Sequence, residues 1–109
     1  MKKLLLILFC LPMVGFGQLT YVPDDNFEAY LEANGMGNGI TNDDSVLTAN
    51  INTLSYLNVS YQNISNLTGI EDFTALTFLD CKDNQINSLD LSSNLYLEFV
   101  ACYIINLIV

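Results

Sequence analysis

The sequence predicts an α/β solenoid: a right-handed stack of short coils with a parallel β-sheet on its concave face. Short extended or 3-10 segments line the convex face, and a helical cap stands in front. Three observations predict it. The chain matches itself at a shift of 21 to 22 residues. Within each copy apolar side chains fall two apart, as on a strand with one buried face. The segment ahead of the copies has helical spacing instead.

Residues 1–17 read as a secretory signal. Lys2 and Lys3 give a basic start, Leu4 to Val14 an apolar run, and Gly15-Phe16-Gly17 small residues at the positions a signal peptidase reads. The run is too short for a membrane-spanning helix. Cys10 follows bulky Phe9 inside that run, which disfavours acylation. Removal of 1–17 leaves Lys82 as the sole base against 12 acids, a net charge of −11. Such a surface repels phosphate backbones and anionic lipid, so nucleic acid and membrane insertion are not expected. The remaining chain has no His, Arg or Trp. General-base histidines, arginine phosphate clamps and imidazole metal sites are therefore excluded.

Residues 18–50 form the expected cap. Pro23-Asp24-Asp25-Asn26 opens a helix, with Asp25 and Glu28 spaced as a capping box. Phe27, Tyr30 and Leu31 share one face, and Gly35 is a natural stop. Gly35 to Asp44 is rich in Gly, Asn and Asp and reads as a loop, after which Val46 to Leu54 leads into the first coil. The helix is the expected lid on that coil, which otherwise has no neighbour to cover its apolar edge.

Residues 51–109 carry the repeats, with copies at 54–75, 76–96 and an incomplete 97–109. Leu54, Leu76 and Leu97 align, as do Leu57, Leu79 and Val100; Val59, Cys81 and Cys102; and Ile64, Ile86 and Leu107. Leu79 and Cys81 point inward, while Phe78, Asp80 and Lys82 point outward. Asn84 falls where the chain must turn and can offer both a carbonyl and an amide to backbone groups there. The second repeat echoes itself ten residues on, Leu79 to Asn84 becoming Leu89 to Asn94. Its return path should therefore be extended. The first repeat has Leu67, Ile70, Phe73 and Leu76 three apart, which suits a 3-10 piece.

These segments resemble the leucine-rich-repeat pattern L-x-x-L-x-L-x-x-N/C-x-L, in a flavour similar to the internalin-like bacterial surface proteins, some of which carry cysteine at the inward strand position. The resemblance covers about residues 46–109, with Gln62 and Ile105 where the family has Asn. It implies a non-catalytic binding module, secreted or on the bacterial surface, that recognises a protein ligand through its concave face. The residues placed on that face are Tyr56, Phe78 and Phe99 in one column, Asn58 and Asp80 (with Ala101) in the next, and Ser60, Lys82 and Tyr103 in a third. The plainer alternative is a structural solenoid piece whose outward rings merely pack flat on the sheet. A carboxylate hydrolase built on Asp43 or Asp44 is the remote third reading.

Cys81 and Cys102 should stack in adjacent coils, in a column whose first place is held by Val59, and are read as small apolar fillers rather than a bridge. Asp24-Asp25 and Asn42-Asp43-Asp44 lack the alternating spacing of a calcium loop and read as helix capping and Asx-turns, so no metal and no cofactor is expected. The Asn-x-Ser/Thr triplets at Asn58, Asn63 and Asn66 read as structural. At Ile104 to Val109 the pattern breaks off on an apolar run, a predicted aggregation edge, so the sequence reads as the front fragment of a longer repeat protein.

Overall fold

The protein was analysed as a computed structural model, which describes residues 17–104 and 106–109. The signal-like segment up to residue 16, and Ile105 at the expected Asn position, lie outside the described residues.

Successive repeats stack in parallel. Strands β3 (Tyr56–Asn58), β4 (Phe78–Asp80) and β6 (Phe99–Ala101) form a three-stranded parallel sheet in the order β3-β4-β6. The registers are Leu57 to Leu79 and Leu79 to Val100, the pairings the self-match predicts. Leu57, Val59, Leu79 and Cys81 are buried, whereas Tyr56 and Phe99 on the other face are exposed. One alternation of side chains thus separates a core column from a surface column.

The turn beyond β3 is held from the next coil. The Oδ1 of Asn84 accepts the N–H groups of Gln62 and Ile64. Its Nδ2 donates to the carbonyls of Val59, Cys81 and Lys82. A hydrocarbon there would strand these groups away from water. Asn94 plays the corresponding part on the return side, donating to the carbonyls of Ile70 and Phe73. Its own Oδ1 is buried without a partner among the described residues.

The two return paths differ as their spacing predicts. In the first repeat Ile70–Asp72 is a 3-10 turn. In the second, β5 (Ser88–Asp90) is extended and pairs in parallel with β7 (Asn106–Ile108). That pairing corrects one alignment: Leu107 sits beside Leu89, not beside Ile86. The second repeat takes ten residues from the start of β4 to the start of β5, and the third takes seven from β6 to β7.

Ahead of the repeats, β1 (Leu19–Tyr21) pairs antiparallel with β2 (Ser45–Leu47), a ribbon the sequence reading lacks. Between them runs helix α1 (Asp25–Ala33). Its N-cap is Asp24, whose Oδ1 accepts the N–H groups of Asn26 and Phe27. The capping-box reading of Asp25 and Glu28 is thereby corrected, because Glu28 is buried and directed elsewhere. Gly35 follows the helix with φ +76°, a conformation glycine adopts without strain. Phe27 stacks on Phe73 of the first coil at 6.1 Å between centroids. The other oxygen of Asp24 accepts the N–H groups of Ser65 and Asn66, fastening helix start and first coil with one side chain. Gly69 (φ +110°) passes so close that a Cβ there would meet the Tyr21 carbonyl oxygen at 2.9 Å. Buried Thr20 completes the join, hydrogen-bonding Thr48 and the Asp72 carboxylate.

Replacing Asn84 with Ala leaves two N–H groups and three carbonyls without their partner, and each uncompensated buried group costs about 1–3 kcal/mol. Denaturant unfolding should show a loss of about 2–4 kcal/mol for Asn84→Ala, and a smaller loss for Asn94→Ala, which also removes an unpaired acceptor. Equal losses at the two positions would refute this assignment of roles.

Candidate ligand-binding face

The outward columns come together as the alternation requires. Tyr56 stacks on Phe78 at 4.5 Å between centroids and 9° between planes, and Phe78 stacks on Phe99 at 4.8 Å and 5°. The in-register strands hold equivalent residues about one strand spacing apart, close to the spacing of stacked rings. The rings therefore stand on edge along the sheet, faces against one another and rims toward solvent. Tyr56 is 55% and Phe99 52% exposed, so the ladder is open at both ends. The expectation of rings lying flat on the sheet does not describe this arrangement.

The neighbouring columns are more occupied than the sequence suggests. Asn58 Oδ1 accepts both the N–H and the hydroxyl of Ser60. Asp80 Oδ1 accepts the Lys82 N–H, and its Oδ2 lies 3.8 Å from Lys82 Nζ. Asp90 repeats the turn on the return side with Ser92, whose hydroxyl and N–H hold the Asp90 carboxyl below its ordinary pKa. Asn58, Ser60 and Asp80 therefore serve first as strand-ending Asx-turns. Tyr103, 78% exposed, has no such duty. The sequence reading omitted Tyr61, which is 75% exposed at φ +59°. The Asp83 carboxylate, hydrogen-bonded to the Tyr61 hydroxyl, raises its pKa. The missed signal is the next column outward: Tyr61 and Asp83 are as far apart as Ser60 and Lys82.

Cys81 and Cys102 also meet. The structure joins them as a disulfide between adjacent coils, with 5.0 Å between α-carbons. This corrects the filler reading, which overweighted the parallel aim of the two side chains. Cys81 is nonetheless a core residue, 3% exposed.

Two carboxylate triplets converge among the described residues, Asp25/Glu28/Asp44 and Glu28/Glu32/Asp43, with ligand oxygens within 4.8 Å of one another. These are the groups that could hold a cation. Their oxygens already serve the backbone of the loop after α1. Glu28 accepts the N–H groups of Asp43 and Asp44, and Glu32 those of Asn38 and Gly39. Asp43 accepts from Asn38 Nδ2 and from the Ser45 N–H. A shallow groove of about 280 Å³ runs between Asn66–Glu71 and β5, lined by Leu67, Ile70, Leu89 and Asp90 among others. No described helix is long and apolar enough to cross a membrane.

No family model matches the sequence. Internalin J of Listeria monocytogenes (serotype 4b, strain F2365) is 37% identical over 74 residues, which is 68% of this chain and 8% of that protein. A solved structure described as the functional domain of InlJ from Listeria monocytogenes, which "includes a cysteine ladder", matches with a TM-score of 0.60 at 35% identity. The match covers 74% of this chain and 18% of that one. The chain thus spans a small part of the length of the relatives it matches, and the fold it shares with them is leucine-rich-repeat-like.

The buried carboxylate makes a pH prediction. Burial raises the Glu28 pKa above its usual value, and the Asp43 carboxyl adds to the rise. Asp43 goes the other way, lowered first by the Asn38 amide. A raised pKa in the folded state stabilises below the unfolded value and loses that contribution as pH rises through the folded value. The lowered Asp43 contributes above its unfolded value and loses as pH falls. The pair is therefore most favourable in the mildly acidic window where Asp43 has ionised and Glu28 still holds its proton. Urea unfolding across pH should show stability declining above that window. Glu28→Gln should flatten the decline, and an unchanged slope would refute the assignment.

Proposed function

The chain belongs to the internalin-like leucine-rich-repeat proteins, and on that footing we propose that it is an exported, non-catalytic binding module recognising a protein through the concave face of its solenoid. Residues 1–17 act as the leader, 18–50 as the cap and 51–109 as the repeats. The observation that carries the reading is the Tyr56–Phe78–Phe99 ladder, held in register and open to solvent at both ends. Aromatic rings give contact area at low entropic cost, and a surface seldom leaves an apolar stripe uncovered without use. Asn58 and Asp80 stand in the column beside the ladder, with Ser60, Lys82 and Tyr103 in the one beyond and Tyr61 farther out. The internalin relationship supports export and a protein partner in general terms. The sequence supports no cofactor and no catalytic set.

A second reading is favoured by two features. The ring faces cover one another, and Asn58 and Asp80 are engaged in turns, which suits a purely structural segment. The double substitution Phe78→Ser with Phe99→Ser separates the two. If the ladder is a binding surface, capture of the partner from extract by the immobilised protein should fall by about 30-fold or more, since central aromatic contacts are each worth about 2 kcal/mol or more. The far-ultraviolet circular dichroism should stay unchanged. Undiminished capture by the folded variant would leave the structural reading.

A further inference from the structure

The cap is fastened to the first coil beyond its strand. Asp24 holds Ser65 and Asn66, Asn26 donates to the Asn63 carbonyl, and Thr20 bonds Asp72. Strands β1 and β2 pair with each other and not with β3, which leaves β3 as the front edge of the concave sheet. The bonds on its other side fix which groups are free. The Ser55 carbonyl accepts from Phe78, and the Val59 N–H donates to the Asp80 carbonyl. Ser55, Leu57 and Val59 thus turn their backbone groups toward β4. Groups alternate along a strand, so the N–H and C=O of Tyr56 and Asn58 face forward. Among the described residues no backbone group meets them, although the whole cap is in place.

That edge adjoins the front of the ring ladder. One face of Tyr56 stacks on Phe78; no other described ring stacks on its second face, and the residue is 55% exposed. A strand paired to β3 lies about 4.8 Å away. Its outward side chain level with Tyr56 then stands at nearly the spacing that Tyr56 keeps from Phe78, 4.5 Å between centroids. An aromatic residue there continues the ladder by one rung. Charge selects the rest of the segment. From Gln18 to Cys81 the chain has nine acids and no Lys, Arg or His. A second copy brings the same charge to the same edge and is repelled, whereas a segment rich in Lys or Arg is attracted. Resting on the reading of this face as a binding surface, we propose that the partner docks as an extended basic strand on the front edge of β3, with an aromatic side chain against Tyr56.

Amide hydrogen exchange of the purified protein, read by NMR, tests this with a synthetic peptide in which Lys and Thr alternate around one central Tyr. The expected result is slowed exchange at Tyr56 and Asn58 when the peptide is added. Replacing the peptide's Tyr with Ser should weaken binding about tenfold, and replacing its Lys with Glu should abolish it. Asn58→Pro removes a forward N–H at an edge, where proline is tolerated, and should bind about tenfold more weakly than Asn58→Ala, which keeps that N–H. Should Asn58→Pro fail to fold, the exchange map of the unsubstituted protein decides. Absence of peptide binding, protection at other amides only, or equal affinity for the Ser peptide would overturn the proposal. Slowed exchange at Tyr56 and Asn58 in concentrated protein without peptide would overturn it in favour of a second copy. Capture from extract that is lost in Phe78→Ser with Phe99→Ser but kept in Asn58→Pro would remove the edge and leave the ladder as the binding surface.

Discussion

A chain that winds into stacked coils must turn twice per coil, and each turn leaves backbone groups facing its neighbour instead of water. Asn84 answers that constraint for the strand side. Its carbonyl and amide reach the preceding coil and their own turn at once, which sets how far apart the two coils lie. Once that spacing holds, β3, β4 and β6 fall into register. Register in turn places Leu57 beside Leu79 in the core and Tyr56 beside Phe78 outside. The core column and the ring ladder are two faces of the same alignment, and a slip of one residue would destroy both.

The front of the stack has no preceding coil, and carboxylates take over the work there. Asp24 fastens α1 to the first coil, while Glu28, Glu32 and Asp43 hold the loop that follows the helix. Glu71, Asp80 and Asp90 accept backbone N–H groups farther along. Much of the acidity that sets the net charge therefore serves the backbone directly. Carboxylates suit this because each oxygen accepts from two donors, as both oxygens of Asp24 do. The buried Glu28 shows the cost, since its surroundings favour the proton over the charge. No histidine or arginine is needed anywhere in this scheme.

The repeat was legible because a period of 21 to 22 residues fixes which side chains share a rung without reference to any single motif. Asn84 and Asn94 were legible for the same reason, lying where both halves of the repeat must turn. The strand β1 was not. Leu19–Tyr21 is too short to show alternation, and its partner lies beyond a helix and a loop. The helix start was misplaced by one residue because Asp24 and Asp25 are chemically alike, and only the first coil, through Ser65 and Asn66, distinguishes them. The Leu107 pairing was missed because a shift of 21 presumes coils of equal length, and the third takes a shorter path. Within the candidate face the columns were legible, but not the local bonds that occupy Asn58, Ser60 and Asp80. Tyr61 was hidden for a related reason: it lies past the strand, at a positive φ that alternation does not describe.

Stacking makes the outward columns nearly independent of the fold. Leu57 and Leu79 are buried in the core, while Tyr56 and Phe78 stand on the outward side of the same strands. Phe78 touches Tyr56 and Phe99, and losing it should disturb the ladder more than the coils. A surface with that freedom can change its chemistry coil by coil while the inward residues and Asn84 keep the spacing. The freedom ends where Asx-turns close the strands, because Asn58 and Asp80 are both outward residues and backbone partners. The ring column and Tyr103 are therefore the outward side chains that can change with least disturbance to the turns.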